Sequence, residues 1–98
     1  MRKIESIMAH LERELEEKML ESPSQSNLVG AGLLVESMSK QLDQAIIFDK
    51  TIRARLEAEL EELRKSVEGT NASAGAAKER LATFRSFFQA SFSGGQIV

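Results

Sequence analysis

Few side chains in this sequence combine in a way that could support chemistry. The single histidine, His10, stands among glutamates at positions 12, 14, 16 and 17, which would bind a metal only if these groups converged. Consecutive glutamates on a helix point apart, and no histidine follows any of them at the Glu-x-x-His spacing of helical metal sites. We therefore expect a solvated helix face here, with no metal site and no catalytic role for His10.

Two short motifs match functional patterns but lack the residues that usually surround them. Ser37-Met-Ser-Lys40 has the Ser-x-x-Lys form found in enzymes whose serine nucleophile is acylated by the substrate. The companion motifs and the chain length of such enzymes are missing here. Gly30 and Gly32 have the spacing of a phosphate loop without its third glycine or its Lys-Ser/Thr. These small residues more simply let a neighbouring helix approach, or weaken the helix locally. The sequence therefore predicts no enzyme and no cofactor.

The stretch that positions everything else runs from Leu33 to Val67, without proline or glycine. Its apolar residues recur at steps of three and four, which predicts one long helix over residues 28–68. A strict seven-residue repeat would put Asp49 and Glu59 in the seam, so packing in a bundle is favoured over a long parallel coiled coil. Asp49 has two interpretations: a surface residue paired with Arg53, or a buried polar residue that fixes register.

Shorter helices are predicted on either side, over residues 2–20 and 76–92. The first break contains Pro23, which cannot continue a helix. Either Ser22-Pro23-Ser24-Gln25 is a capping box, or Ser26 or Asn27 caps a helix beginning at Leu28, and we favour the later start. The second break is a linker over 69–75, with Gly69 as a helix terminator and Ser73 as a cap. Residues 93–98 are expected to form a flexible tail.

The last predicted helix carries four of the five phenylalanines. Two interpretations of this aromatic face are open. It packs on the central helix, or it anchors in a partner's groove, as amphipathic helices with aromatics at this spacing do. The residues concerned are Leu81, Phe84, Phe87, Phe88 and Phe92.

Length and composition set broad limits. The 98 residues predict a single helical domain over 1–98, and the chain has no cysteine for a disulfide or thiolate metal site. No window reaches the ~18 apolar residues of a transmembrane helix. The first residues lack the apolar core of a signal peptide, so we expect a cytoplasmic protein.

The predicted fold is all-α: a long central helix with two shorter helices packed on it, coiled-coil-like and only two helices thick. Such a fold leaves apolar flank exposed, which typically marks association. We therefore predict a non-enzymatic protein–protein interaction module (an adaptor, chaperone, scaffold or inhibitor) that forms a homodimer or pairs with another helical protein. The predicted interface comprises Ile46, Ile47, Phe48, Ile52, Leu81, Phe84, Phe87, Phe88 and Phe92.

The alternative function is a dimeric, DNA-associated regulator that uses a weakly basic last helix. Residues 69–98 carry Lys78, Arg80 and Arg85 against Glu79. Nucleic acid normally calls for a larger cluster of cations, so this alternative is the less favoured one.

Overall fold

The computed structural model of the chain describes residues 2–21, 28–69 and 72–92. Within them the chain forms four helices and no strand: α1 (Arg2–Glu21), α2 (Val29–Gln44), α3 (Lys50–Val67) and α4 (Ala74–Phe92). The all-helical prediction is confirmed. The arrangement of one long helix with two shorter ones is wrong, because the four helices have similar lengths of 16 to 20 residues.

The predicted helix over 28–68 is interrupted between Gln44 and Lys50. Ala45 and Asp49 both have extended backbone angles, with ψ of 144° and 111°. The apolar spacing does not indicate this break, because the buried Leu42 and Leu56 are 14 residues apart. That distance is about four turns, so the two residues would lie on the same face of an uninterrupted α-helix. The apolar spacing therefore continues across the connection as though the helix did.

The helices form an antiparallel four-helix bundle. Each helix packs against its neighbours along the chain, and α4 closes the bundle against α1. Among the described residues, the Cα atoms of α1 and α3, and those of α2 and α4, stay more than 8 Å apart, so these are the diagonal pairs of the bundle. The side-chain pairs that fix the antiparallel directions are Arg53 with the Leu42 carbonyl, Arg64 with Glu36, Lys78 with Glu16, and Arg85 with Glu12. The sequence predicted a four-helix layer built from two chains, whereas a single chain forms the four-helix bundle by itself.

The bundle has two distinct ends. We call one the tip end: it holds the start of α1, the α2–α3 connection and the end of α4. The other, the far end, holds the end of α1, the start of α2 and the α3–α4 connection. The molecule measures 40 × 20 × 19 Å. No helix in the described part of the chain is long and apolar enough to cross a membrane.

One continuous core runs along the bundle axis, and most of the apolar residues that recur through the predicted central helix point into it. This part of the sequence interpretation is confirmed, since a 3.6-residue period places such positions on one helix face. The buried apolar residues are Ile4, Met8, Leu11, Leu15, Leu28, Ala31, Val35, Met38, Leu42, Leu56, Leu60, Leu63, Val67, Ala74, Ala77, Leu81, Phe84 and Phe88.

The predicted signals at the α3–α4 connection are confirmed. Gly69 follows the last residues of α3 with a φ of +84°, the left-handed conformation that glycine adopts without steric cost. The Ser73 side-chain oxygen accepts a hydrogen bond from the Ala76 amide at 3.3 Å, so Ser73 caps α4. As a result α4 begins at Ala74, two residues before the predicted start.

The start of α2 lies one residue after the later of the two predicted positions, because the helix begins at Val29. The N-cap residue is Leu28, whose side chain makes no capping hydrogen bond, and not Ser26 or Asn27 as predicted. Pro23, the capping-box residues, Ser26 and Asn27 lie outside the described residues. So do the predicted tail 93–98 and part of the predicted linker.

Candidate functional site

The connection between α2 and α3, residues 45–49, is held at its second end by Asp49. Its carboxylate accepts hydrogen bonds from the amides of Thr51 (2.9 Å) and Ile52 (3.1 Å), so it is the N-cap of α3. Asp49 is exposed, which rules out the interpretation of a buried register residue. Its role is to start a new helix.

The first end of the connection is held by Arg53, one turn into α3. Its guanidinium donates to the Leu42 carbonyl at 3.3 Å and to the Ala45 carbonyl, both at the C-terminal end of α2. The Leu42 carbonyl also accepts a hydrogen bond from the Ala45 amide at 3.1 Å, so Arg53 is a second donor there. Arg53 in addition supplies a hydrogen bond to the Ala45 carbonyl, which lies beyond the last turn of α2. Glu57 lies 3.8 Å from the same guanidinium. The short connection is therefore fixed at both ends.

Two large apolar side chains project from this fixed connection. Phe48 is 84% exposed and Ile46 is 72% exposed, whereas the intervening Ile47 and nearby Ile52 pack partly against the core. We call Ile46 and Phe48 the apolar tip. Exposing a phenylalanine forgoes ~1.5–3 kcal/mol of burial, so a cluster of this kind at a rigid turn is a candidate binding surface.

The aromatic residues of α4 divide differently from the sequence prediction. Leu81, Phe84 and Phe88 are at most 2% exposed and belong to the chain's own core, with the Phe84 and Phe88 rings stacked at 6.1 Å. Phe87 is partly buried and lies beneath the Arg55 guanidinium, 4.9 Å from its ring centre. The Phe92 side chain lies outside the described part of the structure. Of the eight predicted interface residues whose side chains the structure describes, Ile46 and Phe48 are therefore the ones that are largely exposed.

A second apolar surface, which the sequence analysis did not single out as an interface, lies at the far end. It is an open groove between the start of α2 and the end of α3, with a volume of about 440 Å³. We call it the end groove; it is lined by Leu28, Val29, Gly32, Leu33, Glu36, Val67, Glu68 and Gly69. Val29 is 68% exposed and Leu33 is 65% exposed. Their four-residue spacing, offset from the buried Ala31 and Val35, was the available signal.

The two glycines of α2 have different roles. A Cβ at Gly30 would lie 3.1 Å from the Glu14 carboxylate of α1, so Gly30 permits close helix approach, as the sequence suggested. A Cβ at Gly32 would meet nothing within 4 Å, because it would project into the end groove. Gly32 therefore makes the groove deeper, and α1 does not require it.

Charge is distributed unevenly along the bundle. At the tip end, residues 2–5 and 40–53 contain five basic and three acidic side chains. At the far end, residues 14–20, 28–36, 61–69 and 72–80 contain eight acidic and five basic side chains. The apolar tip thus lies in a positive region and the end groove in a negative one. Lys50 follows Phe48 by two residues, and Glu36 and Glu68 border the groove.

The groups considered for chemistry or DNA binding do not form a site in the described residues. His10, Ser37 and Lys40 are exposed on helix surfaces, and no group of three or more potential metal ligands is found there. Two of the three cations proposed for DNA contact are engaged by acids of α1: Lys78 lies 3.4 Å from Glu16, and Arg85 pairs with Glu12.

The fold and surface together define the class of this protein as an antiparallel four-helix bundle with an apolar, basic tip. A comparison with protein-family models finds no match, and comparisons with curated proteins and with solved structures likewise find none. The function must therefore be inferred from the residues and their arrangement in the structure.

Proposed function

We propose that this protein is a non-enzymatic protein–protein interaction module that binds its partner through the apolar tip. The observation that carries the proposal is that Phe48, 84% exposed, sits on a connection fixed at both ends. A side chain presented on a rigid backbone loses little conformational freedom on binding, which favours affinity. An aromatic anchor with polar residues around it also matches the usual composition of an interface, in which an aromatic centre lies within a polar rim.

The proposal differs in one respect from the expectation based on the sequence alone. A homodimer was expected because a two-helix layer would leave much apolar surface uncovered, but the single chain covers its own core. The support for a partner now comes from four exposed side chains, Ile46 and Phe48 at one end and Val29 and Leu33 at the other. A surface of this size supports a small, weak interface rather than an obligate one.

DNA binding is not favoured by any particular feature of the surface. The ion pairs of Lys78 and Arg85 with α1 reduce the charge that these residues could offer to phosphates. The basic side chains of the tip end are interleaved with Glu5, Asp43 and Asp49 and do not form a continuous stripe.

Site-specific photocrosslinking tests the proposed function. A photoreactive amino acid replaces Phe48 in one variant and Ala58, an exposed residue in the middle of α3, in the control. We expect crosslinked products, identified by mass spectrometry from a lysate of the source cells, at position 48 and not at position 58. Equal products at both positions, or none at position 48, would contradict the proposal.

A further inference from the structure

The apolar tip projects from one end of the bundle, and the end groove is a concavity at the other end. The tip is a projection of two side chains beyond the end of α2, and the end groove is a concavity with apolar walls formed by Val29, Leu33 and Val67. The two lie at opposite ends of α2, whose 16 residues span ~24 Å at about 1.5 Å per residue. The tip of a chain therefore cannot reach its own groove, but it can reach the groove of another copy.

The two surfaces are complementary in charge. The tip lies in a region of net positive charge, with Asp49 and Lys50 directly after Phe48. The groove lies in a region of net negative charge and is bordered by Glu68 and by Glu36, which is paired with Arg64 at 3.6 Å. Two tips placed together would bring together two regions of net positive charge, and two grooves would bring together two regions of net negative charge. Opposite ends attract, so electrostatics favours tip-to-groove contact over the symmetric pairings.

From these observations we infer that the bundle associates with a second copy of itself head to tail, the apolar tip of one chain entering the end groove of the next. This inference rests on the proposed function and names the partner. Such a contact joins two different patches, so each added copy still offers a free tip and a free groove. The product is an open chain of subunits, or a ring if the rotation closes. Its small contact area makes it a weak, concentration-dependent assembly.

Two variants remove one surface each. Ile46→Ser with Phe48→Ser removes the tip. Gly32→Leu fills the groove, and since a Cβ at Gly32 meets open space, this change is compatible with the fold. Leucine is also a better helix former than glycine, so the groove-filled variant should be at least as stable as the original chain. Loss of assembly in this variant could not then be attributed to unfolding.

Sedimentation velocity over a range of concentrations gives the readout. We expect the unaltered chain to show a sedimentation coefficient that rises with concentration, and each variant alone to remain monomeric. A mixture of the two variants should form a dimer and nothing larger, because the tip variant retains an intact groove and the groove-filled variant retains an intact tip. A symmetric tip-to-tip or groove-to-groove pair would not be restored by mixing, and that result would overturn the inference.

A matched control and a charge exchange sharpen the test. Leu20→Ser alters a side chain that is 87% exposed near the far end but does not line the groove, so it should leave assembly unchanged. Lys50→Glu or Glu68→Lys alone should weaken assembly about two- to fivefold, the range expected for an exposed ion pair, and the double variant should recover it. Failure of the double variant to recover would show that these charges do not face each other, and would overturn this arrangement of the contact.

The outcomes separate this inference from the proposed function. If the unaltered chain is monomeric at every concentration while position 48 still crosslinks to a different protein, head-to-tail assembly is wrong and the interaction module stands. If position 48 crosslinks to nothing and the chain is monomeric, both are wrong.

Discussion

Arg53 satisfies backbone groups of a helix to which it does not belong. Its guanidinium reaches from α3 to the carbonyls of Leu42 and Ala45, while Asp49 caps α3 with its side chain. One residue thus closes the end of the earlier helix and another opens the later one. Because the two are only four positions apart, the direction in which Ile46 and Phe48 point depends on both.

Replacing Arg53 with methionine tests its contribution to stability. Methionine keeps most of the side-chain length and a similar helix propensity but donates no hydrogen bond. We expect the free energy of unfolding to fall by about 1–2 kcal/mol, the loss typical when hydrogen bonds from a charged donor are removed at a partly exposed site. Urea unfolding followed by circular dichroism measures the difference.

The matched control for Arg53 is Arg13→Met, an exposed arginine of α1. It should change the free energy of unfolding by no more than about 0.5 kcal/mol, as is usual for surface substitutions. Equal effects at the two positions would mean that water hydrogen-bonds to the carbonyls at the end of α2 as favourably as Arg53 does.

At the scale of the elements, helix ends depend on a few backbone positions. Gly69 ends α3 in a left-handed conformation, and Gly32 lies inside α2 facing open space. The same substitution should therefore have opposite effects at the two glycines, since one needs a positive φ and the other only lowers helix propensity.

We expect Gly69→Ala to destabilise the protein by about 1 kcal/mol, the cost of holding a residue with a Cβ in the left-handed region. Gly32→Ala should stabilise it by about 0.5–1 kcal/mol through helix propensity and a less flexible unfolded chain. Thermal and urea unfolding of the two variants give the signs directly. A destabilising effect at Gly32 would show that its environment is more crowded than the structure indicates.

The sequence predicted the all-helical fold and the signals at the α3–α4 connection, but it did not predict the number of helices. The roles of Gly69 as a helix terminator and of Ser73 as a helix cap could be predicted, because each role depends on the residue type at that one position. The break before Lys50 could not be predicted, since Ile46, Ile47 and Phe48 include no glycine or proline and the apolar period runs through it. Asp49 was the one signal, an N-cap residue at a position that a continuous helix would bury. Whether the α4 phenylalanines lie on the surface or in the core depends on how many helices pack together. Because the break between α2 and α3 was missed, the predicted number of helices was wrong.

At the scale of the whole molecule, the difference between core and tip can be measured with a pair of phenylalanines. Phe84 is 1% exposed in the centre of the bundle, and Phe48 is 84% exposed at its end. Phe84→Ala should cost about 3–5 kcal/mol, a large part of the ~5–15 kcal/mol by which domains are typically stable. Phe48→Ala should change stability by less than about 0.5 kcal/mol.

Urea unfolding of both alanine variants, together with their far-ultraviolet circular dichroism, checks this expectation. A large loss of stability for Phe48→Ala would show that the tip packs within the chain and is not displayed for binding. Substitutions at Phe84 or Phe88 are unsuited to testing association, because they would alter folding first.

The up-and-down path of the chain brings its first and last helical residues to the end of the bundle that carries Ile46 and Phe48. A label placed next to either of these two helix ends would therefore crowd that surface and mask the contacts being sought. The absence of cysteine offers another route, since a single introduced thiol would be the sole attachment point for a dye. Glu79 is a suitable position, because it is exposed on α4, a helix that contributes no residue to the apolar tip or to the lining of the end groove.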